Sequence, residues 1–539
     1  MSVQLIINLL IDTAYSWTRM FLALIVSILF SWATGIAAAR NRTAERIIIP
    51  VLDVLQSIPI LGFFPVVLLV FVYYFPAWVG VNLAVIFLIF TSMSWNIAFA
   101  VYESVLSIPK EYLDLVSMER LGFWRRLTDL YIPASWSKVA YNSVVSWSVA
   151  LFYLITSEIF AVGTINYAVT NGIGVDLASF ASQGLWNEYA VALGVFVFAV
   201  ILTRVFFLGV FSSWSEKFKL IEEPRATRKD PIYRFYSWVN DRAVSKVFSH
   251  THIRRQNRRI QRPTISNIPK APRGPKPSRR FLRIGSILLA IAMVALIIYW
   301  MAGALLSAGT SPAILVSKES EVLIALAYSF VRVWYVYVLA VGIGLPLGIV
   351  VGLHSKLYQT ASPILQIISA VPATALLPPI AVFLAGLPFG GEVTAAFVIF
   401  LGTIWYIIFN VLAGIRSVPS EIWEVARLSG LKGWAFWRHV LIPASLPSFV
   451  TGSITGVGAA WNTLIVAEYF DIFTANGGHL ILSQVSYGVG KLINVATDTG
   501  DLLLLGLSIL SMTVLVLIVN ILVWRRLYKY TTGRFAYRR

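Results

Sequence analysis

Cysteine is absent from this 539-residue chain, and charged residues are scarce. Without cysteine the protein can form no disulfide, and it can use neither a thiolate nucleophile nor a cysteine-ligated metal site. Charged residues make up 13% of the chain and hydrophobic residues 58%. A typical soluble domain has about 25% charged and about 45–50% apolar residues. A water-soluble enzyme is therefore close to excluded.

The chain also lacks the residue patterns of several kinds of catalytic site. Its five histidines, at positions 250, 252, 354, 439 and 479, form no metal-binding cluster in the sequence. The pair Gly490-Lys491 has neither the preceding glycine spacing nor the following Ser or Thr of a phosphate-binding loop. We find no Ser/His/Asp set, paired-carboxylate site or nicotinamide fingerprint. We therefore expect no catalytic residue, no metal site and no bound cofactor in this chain.

Long apolar runs, in contrast, are plentiful. A helix that crosses a bilayer needs about 20 mostly apolar residues. Charge-free runs cover residues 20–39, 54–102, 139–157, 284–317, 333–353, 357–391, 393–415, 440–467 and 502–524. The run 54–102 is long enough for two spans, broken near Pro76, and the run 189–215 is interrupted only by Arg204. The sequence predicts an all-α polytopic membrane protein with about 11 transmembrane helices.

The chain contains an internal repeat. The motif Ala14-Tyr15-Ser16 with Arg19 recurs in the second half as Ala327-Tyr328-Ser329 with Arg332. Further matches follow at a slightly smaller constant shift: Trp95 with Trp405, Pro109 with Pro419, Trp124 with Trp434, Pro133 with Pro443, Glu158 with Glu468 and Trp214 with Trp524. Chance rarely keeps so many proline and tryptophan matches in register. We interpret residues 1–215 and 281–539 as two copies of one unit.

The segment between the two halves differs from both of them. Residues 217–283 contain 19 Lys and Arg against 4 Asp and Glu, which supplies most of the net charge of +18. The linker 216–280 is also rich in proline, and a basic sequence of this kind cannot bury a core. We interpret it as a tether beside anionic lipid headgroups. Nucleic-acid binding is the alternative that basic runs can suggest, and we expect no nucleic-acid partner.

Positive charge also predicts the orientation, because short loops rich in Lys and Arg stay in the cytoplasm. The candidate cytoplasmic segments are 40–46, 110–138, the linker, Lys356, 416–439 and the tail 525–539. Five spans in the first half and about six in the second let both halves begin outside, provided that an additional helix near 284–303 crosses the membrane. We therefore predict parallel repeats in the cell membrane, with the linker and the C-terminus in the cytoplasm. Many secondary transporters have inverted repeats instead.

The most informative segment is the predicted cytoplasmic loop after the fourth span of each half. In the second half Pro419 can start a helix and Gly430 would end or bend it. A second short helix is predicted over 434–439, before Ile442-Pro443. Two short amphipathic helices of this kind would form a knob that suits a groove on a soluble partner.

This loop resembles the Glu-Ala-Ala loop of binding-protein-dependent ABC import permeases. The family pattern of Glu-Ala-Ala, a glycine and a Leu-Pro pair is matched here by Glu424-Val425-Ala426, Gly430 and Ile442-Pro443. The segments 370–379 and 460–468 look like the nitrate/sulfonate/taurine branch of that family.

The first copy of the loop departs from the pattern. Asp114-Leu115-Val116 replaces Glu-Ala-Ala, and Arg120 stands at the glycine position, with Gly122 shortly after it and Pro133 at the end. The distance from the acidic residue to the proline is the same in both copies, so the loop length is kept. The docking surface could therefore be asymmetric. Two ordinary connecting helices are the alternative for both loops.

The resemblance implies a permease of the type I ABC importer (MetI-like) fold, in which two halves that are usually separate subunits are fused. It implies two cytoplasmic ATPase subunits, which use ATP and Mg, and an extracellular solute-binding protein that delivers a small solute. This chain itself would not be an enzyme. The coupling residues that the resemblance implies are Asp114, Arg120, Gly122, Pro133, Glu424, Ala426, Gly430 and Pro443. An ion-coupled secondary transporter is the alternative; a membrane-embedded enzyme would need a polar catalytic cluster that the sequence lacks.

Four further residues are candidates for a translocation path. Glu158 and Glu468 occupy matched positions near the outer ends of matched spans, and ionisable residues within spans usually face a cavity or a partner. They either line a path or lie solvated at headgroup depth. Trp461 and Asn462 precede Glu468 on the same helix. Arg204 either pairs with Glu188 or Glu158 or extends to the membrane surface.

Overall fold

The computed structural model of the protein describes residues 3–56, 59–119, 122–163, 169–204, 211, 312–416, 418, 420–473 and 479–535. The predicted linker 216–280, the predicted additional helix near 284–303, Arg120, Trp214 and Pro419 lie outside these residues. Within the described part of the chain, the regular secondary structure is helical except for one two-stranded hairpin. The all-α prediction is therefore confirmed apart from this hairpin.

The first half contains helices α1 to α9. They are α1 (Val3–Arg40), α2 (Arg42–Leu55), α3 (Ile60–Tyr74), α4 (Ala77–Leu106), α5 (Lys110–Met118), α6 (Phe123–Arg126), α7 (Ile132–Gly163), α8 (Ile173–Ser182) and α9 (Trp186–Leu202). A π-helical turn, Leu127–Tyr131, joins α6 to α7 without a break.

The second half repeats this order and inserts the hairpin. Its elements are α10 (Pro312–Leu353), α11 (Ser355–Ser369), α12 (Ala373–Leu384), α13 (Gly390–Arg416), α14 (Ser420–Leu428), α15 (Gly433–Phe436), α16 (Ile442–Glu468), β1 (Tyr469–Phe473), β2 (His479–Gln484), α17 (Val489–Thr499), α18 (Leu502–Val519) and α19 (Arg525–Phe535). The π-helical turns Trp437–Leu441 and Asn520–Trp524 follow α15 and α18.

Equivalent helices begin at matched positions of the two halves, which confirms the duplication. The starts of α2 and α11 are separated by the same number of residues as the two Ala-Tyr-Ser motifs. The starts of α5 and α14, of α6 and α15, and of α7 and α16 are separated by the same number of residues as the matched prolines. The shift then increases by six, because α8 begins at Ile173 and α17 at Val489. The additional chain follows α16, where the hairpin lies. The sequence match of Trp214 with Trp524 assumed no such insertion and does not follow these helix boundaries.

Seven described helices are long and apolar enough to cross a membrane, or eight if the bent pair α11 and α12 counts as one span. The expected number of about 11 is not confirmed. One predicted span, near 284–303, lies outside the described residues. The run 54–102 does break at Pro76, but α3 has only 15 residues, and α9 has only 17 described residues. The chain is a multi-pass membrane protein.

The centre of each half is a layer of three long helices, α1, α4 and α7 in the first half and α10, α13 and α16 in the second. Small residues allow the first two to approach closely. A Cβ at Gly35 would lie 2.8 Å from the Ala98 carbonyl oxygen, and one at Gly348 would lie 2.9 Å from the Ile408 carbonyl oxygen. These glycines therefore serve packing, as small residues generally do between helices in lipid.

The two halves pack against each other in a reciprocal way. Helix α3 of the first half contacts α16 and α17 of the second, and α12 of the second half contacts α7 and α8 of the first. Polar contacts cross the same boundary. The Tyr189 hydroxyl donates to the Ala375 carbonyl oxygen over 2.7 Å, and the Arg204 guanidinium donates to Gln366 Oε1 over 2.7 Å.

Candidate functional site

The two candidate coupling loops have the same helical structure. The two halves can be aligned through their matched prolines. In this alignment α5, α6 and their π-turn begin and end at the same positions as α14, α15 and their π-turn. The degenerate first loop therefore keeps the helix bounds of the second loop. This agreement lies on both sides of Arg120, which is itself outside the described residues.

Gly430 ends α14 in a way that its sequence position predicted. Its φ is 65°, in the left-handed region that favours glycine. The Gly430 N–H donates to the Arg427 carbonyl oxygen and the Leu431 N–H to the Ala426 carbonyl oxygen, both over 3.1 Å. These two bonds form the Schellman ending of a helix. The chain then turns sharply into α15.

The buried side of the second loop fixes it to the bundle. Ala426 is buried, and the Trp423 ring contacts the Phe436 ring at a centroid distance of 6.0 Å, so α14 and α15 brace each other. Val440 and Leu441 of the π-turn are also buried. The loop is therefore continuous with α16 both in chain and in packing.

The outward side of both loops carries large apolar side chains. Met118 is 81% exposed, and its equivalent Leu428 is 84% exposed. Trp124 and its equivalent Trp434 are similarly exposed. Large exposed apolar groups of this kind mark protein–protein or membrane contact sites. The sequence pattern predicts the loop but not this pair of exposed apolar surfaces.

The remaining predicted coupling residues lie at the positions that the two-helix loop predicts. Asp114, Gly122 and Glu424 are exposed, whereas Pro133 and Pro443 are half-buried in the first turns of α7 and α16. A Cβ at Gly122 would meet no atom within 4 Å. Their part in coupling stays a prediction.

Glu158 lies at the centre of a buried polar cluster in the first half. Its side chain has no exposed surface, and it forms an ion pair of 2.6 Å with Arg19. It also accepts hydrogen bonds from Ser16 Oγ, at 2.7 Å, and from the Gly174 N–H, at 2.8 Å. The Ile173 N–H donates to Ser16 Oγ over 3.0 Å. The N-terminus of α8 is thus anchored on this cluster.

The same cluster recurs in the second half. Glu468 has no exposed surface, pairs with Arg332, and accepts hydrogen bonds from Ser329 Oγ at 2.6 Å and from the Gly490 N–H at 2.7 Å. The Val489 N–H donates to Ser329 Oγ over 2.8 Å. A buried charge is tolerated only when it is paired and hydrogen-bonded, and both glutamates meet this condition.

The two clusters differ at one position. Arg19 Nε donates to the Asn82 side-chain oxygen over 2.7 Å. Arg332 instead donates three hydrogen bonds, of 2.7 to 3.0 Å, to Glu392, the residue that replaces Asn82. Arg332 therefore lies between two carboxylates and Arg19 next to one.

These contacts resolve part of what the sequence left open. Glu158 and Glu468 are not solvated at headgroup depth, because both are enclosed by protein. Trp461 is buried, and Asn462 Oδ1 accepts a hydrogen bond from the Leu61 N–H across the boundary between the halves, at 3.5 Å. Arg204 contacts the Gln366 and Ser148 side chains. A role of these residues in a translocation path stays a prediction.

The arginines are the residues that sequence reasoning missed. Ser16, Arg19, Ser329 and Arg332 served only as markers of the repeat. A signal was present, since an arginine and a glutamate are both kept at matched positions of apolar spans in the two copies. Opposite charges repeated in this way favour a buried pair, because an unpaired charge within a span is costly.

Comparison with known proteins places these features in context. A family model described as "Binding-protein-dependent transport system inner membrane component" matches residues 27–214 and 344–535, which together are more than half of the chain. Each match covers one of the two halves described above.

Individual relatives are named as permeases. The nitrate import permease protein NrtB of Leptolyngbya laminosa is 35% identical over 144 residues, which are 26% of this chain and 50% of the relative. The bicarbonate transport system permease protein CmpB of Synechocystis sp. is 33% identical over 137 residues, 25% of this chain and 48% of the relative. The aliphatic sulfonates transport permease protein SsuC of Bacillus subtilis is 33% identical over 132 residues, 24% of this chain and 46% of the relative. The matched part spans about half the length of each of these relatives.

Proposed function

The chain belongs to the family of binding-protein-dependent transport system inner membrane components, and on this premise we propose that it is the membrane-spanning permease of an ATP-driven importer. Its two halves do the work of two permease subunits. The chain itself catalyses no reaction, and we assign ATP and Mg to separate ATPase subunits.

The paired coupling loops carry this proposal. They have equal helix bounds, they are continuous with the long helices α7 and α16, and each presents exposed apolar side chains such as Met118 and Leu428. Soluble ATPase subunits that bind both loops could move both halves, because each loop is joined to its long helix by a π-turn with buried side chains. Two ATPase subunits match two loops.

We also propose an extracellular binding protein and a small anionic solute. The relatives' names refer to nitrate, bicarbonate and aliphatic sulfonates, all of which are anions. Small inorganic and organic anions are therefore the first class to test.

The proposed orientation has the coupling loops, the basic linker 216–280 and the C-terminal tail in the cytoplasm. Lys and Arg are concentrated in these segments, as the positive-inside rule requires. The ends of α7 and α16 that carry Glu158 and Glu468 then face the other side of the membrane.

The decisive experiment is uptake in proteoliposomes. The chain would be reconstituted with an ABC-type ATPase and a secreted binding protein from the same organism, and uptake of radiolabelled nitrate, bicarbonate and sulfonates would be measured with and without ATP. The importer predicts uptake that needs ATP, Mg and the binding protein.

A variant in the apolar surface provides the matched control. Leu428→Ser should prevent copurification of the ATPase, whereas Leu387→Ser, an exposed apolar position in the connection between α12 and α13, should leave it unchanged. Uptake that follows an ion gradient in the absence of ATP would support the secondary transporter instead.

A further inference from the structure

The β-hairpin lies across the boundary between the two halves. Strand β1 continues directly from α16 and pairs antiparallel with β2. Although it belongs to the second half, β1 packs against α7 and α8 of the first half, while β2 packs against α12 and α13 of its own half. The hairpin therefore bridges the two repeats.

The bridge lies at the end of the bundle opposite the coupling loops. Helix α16 begins next to the second coupling loop at Ile442 and runs for 27 residues to Glu468, where β1 begins. At 1.5 Å per residue this helix separates the hairpin from the loop by roughly 40 Å.

Glu468, together with Arg332, holds the base of the hairpin. Its carbonyl oxygen accepts a hydrogen bond from the Val485 N–H over 3.0 Å, just after β2 ends. Its carboxylate accepts the Gly490 N–H and pairs with Arg332. Arg332 also donates to the Tyr487 carbonyl oxygen over 3.1 Å. The entry and exit of the hairpin thus converge on the buried ion pair.

A glycine in α13 makes room for the hairpin. A Cβ at Gly391 would overlap the backbone of Gln484, the last residue of β2. The equivalent residue of the first half is Val81, which is buried. The second half therefore lacks a side chain at the point where the hairpin rests on α13.

The first half has the same ion pair without the same length of chain. Residues 159–171 connect Glu158 to Gly172, whereas residues 469–487 connect Glu468 to Gly488, and this second connection is the longer one by six positions. The pair Arg19 and Glu158 is therefore an internal control for any role that the hairpin adds to Arg332 and Glu468.

Resting on the importer function proposed above, we propose that the β1–β2 hairpin is a strap that closes the interface between the halves at the end opposite the coupling loops, and that Arg332 and Glu468 are the positioning residues that hold it there. Solute that enters between the halves at this end must pass the surface that the strap bridges. Each transport cycle therefore has to lift β1 from α7 and α8. The fixed base keeps the strap attached to α16, so that movement of α16 can lift it.

Cross-linking tests the strap directly, because the natural chain has no cysteine. A thiol in β1, at Asp471→Cys or at its neighbour Ile472→Cys, would be combined in turn with Val175→Cys, Ser179→Cys or Ser182→Cys in α8. Both positions are tested because neighbouring strand residues point to opposite faces. A protease site inserted in the linker 216–280 lets a disulfide be read on a gel as two halves that stay joined.

We expect at least one pair to form a disulfide on mild oxidation, to abolish ATP-dependent uptake, and to regain it after reduction. Failure of all six pairs to cross-link would overturn the strap, and so would full uptake by a cross-linked protein. Cross-linking needs neither ATPase nor solute. A parent protein that shows no ATP-dependent uptake would thus count against the importer function, while the cross-linking yield still judges the position of the strap.

The positioning residues are tested by the cross-linking yield of the best pair. Glu468→Gln should lower the yield several-fold more than Glu158→Gln, which breaks the equivalent ion pair of the first half. Equal effects of the two variants would mean that Glu468 has only the structural role of Glu158. If Glu468→Gln does not fold, Gly391→Ala provides the test instead. Its Cβ should push β2 away from α13 and so lower the cross-linking yield. Gly386→Ala, with nothing within 4 Å of its Cβ, should leave the yield unchanged. An unchanged cross-linking yield in Gly391→Ala would contradict the proposed contact of β2 with α13 at Gly391.

Discussion

The guanidinium of Arg19 lies 2.6 Å from the carboxylate of Glu158, in a region where the glutamate has no exposed surface. Its equivalent in the second half joins Arg332 to Glu468. Each pair ties the first long helix of a half to the helix that follows the coupling loop, and both glutamates receive an N-terminal N–H group of a short helix. The middle of one long helix and the ends of two other helices are thereby fixed at one point.

Removing one partner of such a pair should be more harmful than removing both. Arg19→Met leaves a buried carboxylate without its counter-charge, which should lower the free energy of unfolding by about 3–5 kcal/mol. The double variant Arg19→Met with Glu158→Gln should recover a large part of this loss, because glutamine is neutral and its oxygen can still accept from Ser16 and Gly174. Thermal unfolding in detergent measures both. A double variant as unstable as Arg19→Met would show that the charge pair is not what stabilises this corner.

Gly430 should be more sensitive to substitution than its surroundings suggest. A Cβ there would meet no atom within 4 Å, so only its φ of 65° opposes a side chain. Gly430→Ala should cost about 1–2 kcal/mol locally and fray the end of α14. We expect ATP hydrolysis to continue while uptake falls, as we also expect for replacement of Glu424.

The control for Gly430 lies outside the coupling loops, in the connection between α12 and α13. Gly386 is equally open and does not have a positive φ, so Gly386→Ala should leave the ratio of uptake to ATP hydrolysis unchanged. Equal ratios in Gly430→Ala and in the natural protein would remove the coupling role of the turn at Gly430.

The sequence predicted the repeat and the coupling loops because both depend on local signals. Proline and glycine act on their own backbone, so Pro76 marks the break between α3 and α4, and Gly430 marks the end of α14. The equal helix bounds of the two loops follow from an equal spacing between matched prolines. Signals of this kind need no knowledge of tertiary contacts.

The ion pairs and the hairpin could not be predicted in the same way, because they depend on contacts between distant parts of the chain. Arg19 and Glu158 lie far apart in sequence, and only the packing of α1 against α7 brings them together. The constant shift between matched prolines predicts that the chain after Glu468 matches the first half without a gap. The hairpin interrupts this match. The shift increases by six after Glu468, and a search for that change would have located the insertion.

The two coupling loops should be accessible from the same side of the membrane. Met118→Cys and Leu428→Cys create thiols at equivalent, strongly exposed positions. An impermeant maleimide should label both only from the cytoplasmic side, together with Ile260→Cys in the linker, since all three belong to positively charged segments. The reagent would be applied to intact cells and to inside-out vesicles. Labelling of Met118→Cys and Leu428→Cys from opposite sides would indicate inverted repeats and revive the secondary transporter.

The contact between Lys318 and Asp501 should make stability depend on acid. Asp501 caps the start of α18 by accepting from the Leu504 N–H over 3.0 Å, and Lys318 of α10 pairs with it. Burial alone would raise the pKa of the Asp501 carboxyl, but the hydrogen bonds from Lys318 and Leu504 and the charge of Lys318 together lower it. A lowered pKa in the folded state means that the ionised carboxylate is favoured by folding.

The sign of the pH effect follows from this shift. The stabilisation is fully present above the pKa of an unfolded aspartate, about 3.9, and is lost as the pH falls through the lower pKa of the folded protein. For a pair with partly exposed side chains we expect about 0.5–1 kcal/mol. Asp501→Asn keeps an N-cap but removes the charge, so its melting temperature should fall less between pH 6 and pH 3 than that of the natural protein. The melting temperature of Lys318→Met should also fall less between pH 6 and pH 3 than that of the natural protein, because this variant removes the counter-charge from α10. If the natural protein and Asp501→Asn lose stability in parallel over this range, the carboxylate of Asp501 does not contribute to acid sensitivity, and the contact between α10 and α18 depends on packing alone.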